Sequence, residues 1–274
     1  FFKRNRLQLF GFAATKADTV WDRSIIWIAM AAVFATPLIC MNALGDLTNL
    51  PKALFVQNTA LLLLVLWLGS GWRRGRLKIP GTPLSTAIFL LLVWGLISAF
   101  WSANNVLALR QWMIWLSAWL FFVVLATTLR DPAQIQRVFV CVFAAATMVA
   151  GLGLLQYFLK VEWVRQFFPP ASTFGNKNMA AEFVVMAFPV TLGLFFLSRR
   201  TSAVVVSAAG IVLSASFIFH SFTKASWLAA TSELLLVGIV LAVKRSIVFS
   251  HFDRQKRIAA VLVVFSLLGV SQLS

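Results

Sequence analysis

The sequence predicts an all-α fold: a polytopic integral membrane bundle of about nine transmembrane helices, with the N-terminus in the cytoplasm. Three observations predict it. Hydrophobic residues make up 61% of the 274, and they gather into long apolar runs, whereas crossing hydrocarbon takes roughly 20 apolar helical residues. The runs lack the strict apolar–polar alternation of a membrane barrel. The cations are also placed unevenly. Of the 24 Lys and Arg, six (Lys52, Arg110, Lys160, Arg165, Lys177 and Lys224) fall on one side of the runs. The remaining 18 lie in the N-terminal tail and in the alternate connections, which puts the tail inside by the positive-inside rule. The net charge of +16 is therefore a topology signal, and nucleic-acid binding is set aside.

Residues 1–23, with Lys3, Arg4, Arg6, Lys16 and Arg23, read as a basic cytoplasmic tail. Residues 24–274 read as one transmembrane domain, expected to be truncated at its C-terminal side. The first span is expected at 24–43 and the second at 51–71, with an outer connection at 45–50. Trp72-Arg73-Arg74-Gly75-Arg76-Leu77-Lys78 returns to the cytoplasm. Spans three and four are expected at 84–101 and 106–128. In span four Trp112, Trp115, Trp119 and Phe122 share one helical face, read as packing or lipid contact ahead of carbohydrate stacking. Span five, 138–158, carries Ala144-Ala145-Ala146 and Gly151-Leu152-Gly153, small residues that let helices approach closely. Span six is expected at 179–197, seven at 202–219 and eight at 227–243. A basic inner segment follows at 244–257, and a ninth run starts at Ile258. Trp21 and Trp72 fall at inner boundaries and Trp101, Trp163 and Trp227 at outer ones, as an interfacial belt requires.

Two polar stretches interrupt this pattern on the outer side. Phe168-Pro169-Pro170-Ala171-Ser172-Thr173-Phe174-Gly175-Asn176-Lys177-Asn178-Met179 combines prolines that stop a helix, a Gly175 suited to a tight turn, and Asn176 or Asn178 as a cap for the helix that follows. Free amides at that helix start, with Lys177 beside them, make an anion site. The second stretch is His220-Ser221-Phe222-Thr223-Lys224-Ala225-Ser226-Trp227. Both can hold a shared anionic ligand. Arg110, a turn inside the outer end of span four, is a third cation for a phosphate or pyrophosphate group. Lys177 and Lys224 as mere snorkelling anchors is the competing reading, opposed by the directional hydrogen-bonding groups around them.

Glu182, on the same helix face as Asn178, and Glu233 are the acids within spans; each reads equally as a buried packing partner or as a functional group. Glu233 lies nine residues from Lys224, roughly 13 Å along a helix, so a cation from another helix is its expected partner. His220 reads first as structural. Cys40 and Cys141 lie in separate runs with neither metal spacing nor a disulfide framework, and read as packing residues. No metal cluster, Walker loop or Gly-x-Ser-x-Gly turn stands in the chain, so neither metal nor cofactor is expected.

Ser172-Thr173-Phe174-Gly175-Asn176-Lys177-Asn178-Met179-Ala180, followed by Thr223-Lys224-Ala225-Ser226-Trp227-Leu228, resembles the bacterial O-antigen ligase family. Its superfamily is shared with O-antigen polymerases and O-linked oligosaccharyltransferases. Members often read Phe-Gly-Asn-Pro-Asn or Phe-Gly-Asn-Lys-Asn at the first motif and Ser-Arg-Gly or Ser-Lys-Gly at the second; here Thr223-Lys224-Ala225 keeps the cation and loses the glycine. The resemblance implies metal-independent transfer of a glycan from undecaprenyl pyrophosphate to a hydroxyl acceptor at the periplasmic face of the inner membrane. That acceptor is lipid A-core for a ligase, another lipid-linked glycan for a polymerase, or a protein Ser or Thr for an oligosaccharyltransferase. Arg110, Lys177 and Lys224 would hold the pyrophosphate, with Gly175, Asn176, Asn178, Glu182, His220, Thr223, Ser226 and Glu233 in support. The general base is expected beyond Ser274, and lipids are the other partners. A lipid-linked anion transporter would instead want cations at the midplane and paired broken helices, and a non-catalytic membrane subunit is the remaining alternative.

Overall fold

A computed structural model describes residues 20–41, 49–75, 77, 80–161, 164, 168–198, 200–243, 258–259 and 262–263. These residues form eight α-helices: α1 (Val20–Ala35), α2 (Asn49–Arg73), α3 (Pro83–Ala99), α4 (Asn105–Thr128), α5 (Pro132–Leu159), α6 (Lys177–Leu197), α7 (Thr201–His220) and α8 (Lys224–Val243). Short 3₁₀ turns lie at Thr36–Leu38 and Ser172–Phe174. No strand occurs among the described residues. Helices α2, α4, α5, α6 and α7 are long and apolar enough to cross a membrane, and α3 is a shorter apolar helix.

The predicted spans two to eight coincide with α2 to α8 to within three residues at each end, except that α5 starts at Pro132, six residues before the expected 138. The first differs more. It was expected to reach residue 43, but α1 stops at Ala35 and gives way to the Thr36–Leu38 turn, because Pro37 cannot supply the amide that would continue the helix. The sixth starts at Lys177, two residues before the expected position. Of the connection expected at 45–50, residues 45–48 lie outside the described residues, as do the basic segment at 244–257, most of the ninth run and Trp163, whereas residues 49 and 50 already belong to α2.

The chain divides into two compact units. The first holds α1 to Ala32, α2 from Ala53, α3, α4 and the start of α5 to Val138. Its core joins Ile25 and Ala29 of α1 to Leu63 of α2 and Val124 of α4. At one end Asp22, 4% exposed, pairs with Arg74 and accepts from Ser70 Oγ at 3.3 Å, while Gly69 lets the Trp21 ring lie against the α2 backbone. Because the start of α1 meets the end of α2, the two run antiparallel. Helices α3 and α4 are also antiparallel: Trp112 Nε1 donates to the Leu92 carbonyl at 2.8 Å, and Trp119 packs on Phe89 with ring centroids 5.6 Å apart. Trp112 and Trp119 are thus packing residues, as expected.

The second unit holds Val33–Lys52 and the chain from Phe139 onward. One core layer brings together Val149 and Ala150 of α5, Ala180, Ala181 and Val184 of α6, and Phe217 and Ile218 of α7. A second joins Phe188, Leu192 and Phe195 of α6 to Val204 and Ile211 of α7. Glycine sets the approach of α5 and α7 reciprocally. A β-carbon on Gly153 would lie 2.1 Å from Phe217 Cε2, and one on Gly210 would lie 2.3 Å from Phe143 Cε2. Since Phe143 precedes Gly153 as Gly210 precedes Phe217, the helices run parallel, as alternate spans must.

Candidate functional site

The first polar stretch folds into a tight, capped helix start. Ala171 leads into the Ser172–Phe174 turn, and Gly175 then takes φ +67°, a conformation that side chains with a β-carbon adopt at a cost. Asn176 is the N-cap of α6: its Oδ1 accepts from the Asn178 amide at 2.9 Å, satisfying one of the amides a helix start leaves free. The glycine turn and the asparagine cap are those the sequence predicts. Lys177 is half-buried in the first turn, and Asn176, Asn178 and Glu182 are exposed around it.

The second stretch is a tight turn between α7 and α8. Ser221 Oγ accepts from the Thr223 amide at 3.2 Å and donates to the Ile218 carbonyl at 2.8 Å. Trp227 Nε1 donates to the same carbonyl at 2.8 Å and its ring stacks on Phe219. Lys224, the first residue of α8, is exposed. The two stretches meet: Thr223 Oγ1 donates to Asn178 Oδ1 at 3.0 Å. Each member of that bond is the chain neighbour of a lysine, so α6 and α8 begin side by side. Two positive helix ends thus lie together, each with a lysine as its first residue, an arrangement that attracts an anion larger than a single helix start would hold.

His220 turns inward. It is fully buried, with Nδ1 2.8 Å from the Ser216 carbonyl, to which an Nδ1–H donates, and Nε2 has no hydrogen-bond partner among the described residues. The rings of Tyr157, Phe158 and Phe219 enclose it, as suits a structural histidine. Ser226 of α8 is also buried, its Oγ likewise without a hydrogen-bond partner among the described residues. Glu233 is half-buried on α8; the cation expected from another helix is not found among the described residues, and Oε2 is buried without a hydrogen bond. Arg110 lies exposed in the second turn of α4, in the other unit. No group of three or more His, Cys, Asp or Glu that could hold a metal occurs among the described residues, and Cys40 and Cys141 are free thiols.

Two further residues serve this site that sequence reasoning passed over. Lys52, in the first turn of α2, donates from Nζ to the Ile39 carbonyl at 2.6 Å and to the Thr173 carbonyl at 2.7 Å, and sits 4.6 Å from the Phe174 ring centroid. Gln156, near the end of α5, accepts from the Ser172 amide at 2.6 Å and donates to the Ser172 carbonyl at 3.2 Å. The signal for Gln156 was its amide in an apolar run; Lys52 was counted only among the outer cations.

The chain has no significant match among protein-family models, curated proteins or solved structures.

Proposed function

We propose that this chain is the membrane part of a glycan transferase of the O-antigen ligase type, moving a glycan from undecaprenyl pyrophosphate to a hydroxyl acceptor such as lipid A-core at the periplasmic face of the inner membrane. The observation that carries it is the Thr223–Asn178 hydrogen bond, which draws the two motif-bearing helix starts, with Lys177 and Lys224, onto one rim. Around the five long apolar helices, α1, α3, α8 and the run from Ile258 complete a set of about nine spans. The parallel course of α5 and α7 and the antiparallel α1–α2 and α3–α4 pairs agree with that alternation. With the N-terminus inside, the rim faces outward.

In this reading the diphosphate of the carrier lies across the two helix starts, its charge met by Lys177, Lys224 and the free amides. The acceptor oxygen bonds to the anomeric carbon as the bond from that carbon to the diphosphate oxygen breaks. The electron pair stays on the departing undecaprenyl pyrophosphate, and the hydroxyl proton passes to a base. Stabilising the charge that develops on the leaving group contributes a few kcal/mol per well-placed donor, about 3 kcal/mol each.

The test is a reconstituted transfer assay with an undecaprenyl-pyrophosphate-linked glycan as donor. Lys177→Gln and Lys224→Gln should each lower turnover about 100-fold while the purified protein remains monodisperse. Unchanged turnover in both would remove the rim from the reaction.

A further inference from the structure

We infer that Gln156 and Lys52 are positioning residues that clamp the Ser172–Phe174 turn and so hold the Lys177 helix start in its anion-binding shape before any ligand arrives. For its ligand this rests on the transfer reading above; the clamp itself is read from the hydrogen bonds.

The turn is not one the chain would hold unaided. Ser172 has φ +51°, a left-handed conformation disfavoured on the order of tenfold for a residue with a β-carbon. Ser172 is also fully buried, where unpaired backbone groups are costly. Gln156 answers both needs with one side chain, pairing its amide oxygen and nitrogen with the amide and carbonyl of that residue. The next carbonyl, that of Thr173, is taken by Lys52, and Thr173 Oγ1 donates to the Pro37 carbonyl. Phe174 then lies between the Lys52 ammonium and the Phe183 ring of α6, stacked at 5.5 Å. Directly after these fixed residues come Gly175, the Asn176 cap and Lys177. Strain of this kind persists only where the surroundings over-determine the backbone, and it concentrates at binding sites.

A structural role alone accounts poorly for the choice of residues. Gln156 is 1% exposed in a helix that is otherwise apolar there, and a leucine would fill the same core without the desolvation that an amide brings. Both side chains direct their hydrogen bonds at the turn, Lys52 adding only the Ile39 carbonyl that anchors it. Lys52 has committed its donors to carbonyls and a ring face, so it acts through the turn.

The purified chain in lipid nanodiscs tests this with Lys52→Met, Gln156→Leu and the conservative Lys52→Arg. Two readouts are taken: amide hydrogen exchange, and binding of inorganic pyrophosphate by titration. In Lys52→Met and Gln156→Leu, amides from Ser172 to Asn178 should exchange about 10-fold faster and the pyrophosphate Kd should rise about 10-fold, the two being one free-energy change. Exchange in α7 should stay as in the wild type, and Lys52→Arg should recover most of both losses. If one variant raises exchange throughout the chain, the other decides, since each holds a different backbone group. Turn exchange and Kd within twofold of wild type, or a general rise in exchange in both variants, would overturn the clamp. If the turn loosens as expected but the wild type binds no pyrophosphate, the clamp stands and the transfer reading falls.

Discussion

Removing the Thr223–Asn178 hydrogen bond tests whether the two lysine-bearing helix starts work as one site. Thr223→Val keeps the side-chain shape and deletes the hydroxyl; Asn178→Ala deletes the acceptor. The bond is 3.0 Å long between a buried threonine and an exposed asparagine, so Asn178 Oδ1 regains water when the hydroxyl is lost, and neither single change leaves a buried charge. A net contribution of about 1 kcal/mol is expected for such a neutral bond. Thr223 Oγ1 also lies 3.4 Å from the Ser221 carbonyl, a long contact that retains part of the threonine's value in Asn178→Ala. The coupling between the two positions should therefore be about 0.5–1 kcal/mol.

The assay is a double-mutant cycle, read once by thermal unfolding in detergent and once by the transfer rate at saturating donor. Coupling of that size is a two- to fivefold effect on the rate beyond the product of the single losses. Strictly additive effects, within about 0.3 kcal/mol in both readouts, would mean that the loops touch without cooperating, and the shared-ligand reasoning would fail.

Elsewhere the packing makes sharper demands. Gly153→Ala places a β-carbon 2.1 Å from Phe217 Cε2, where unstrained carbons keep roughly 3.5–4.0 Å; it should destabilise by about 1–3 kcal/mol, and adding Phe217→Leu should return part of that loss in the same unfolding measurement. Arg74→Met strips the buried Asp22 carboxylate of its ion-pair partner and should cost about 3 kcal/mol. Adding Asp22→Asn should recover most of it, since an amide still accepts from Ser70; a second change that instead added its full cost would argue against the pair.

What the sequence made legible was whatever depends on a residue and its near neighbours. Hydropathy located six helices to within three residues, because burying apolar surface decides which segments become helical in lipid, and missed the polar first turns of α5. Gly175 and Asn176 announced the α6 start because a left-handed turn and an N-cap have few suitable residue types. The Trp112–Trp119 face followed from helical spacing, although its hydrogen bond to the Leu92 carbonyl did not. The clamp was invisible for the same reason. Lys52 serves carbonyls at Ile39 and Thr173, and every residue carries a carbonyl, so no side-chain pattern marks which one a distant lysine will find. Glu233 shows the converse: its charge made it conspicuous, yet the expected cation is not found among the described residues.

The clamp in turn depends on packing deeper in the second unit. Gln156 stands three residues after Gly153, and His220 three after Phe217, so close contact of Gly153 with Phe217 brings those two residues to the same level one turn further on. The 5.0 Å contact of the Tyr157 and His220 rings confirms that level. A β-carbon at position 153 pushes α5 away from α7 at the point from which Gln156 reaches Ser172. The amide pair at 2.6 and 3.2 Å has little slack, because hydrogen bonds weaken steeply beyond about 3.2 Å. Gly153→Ala should therefore reach the Lys177 helix start through Gln156, loosening the Ser172 turn as well as the core. The small residues of α5, which the sequence marked only as permitting close helices, thus fix the height at which the rim is held.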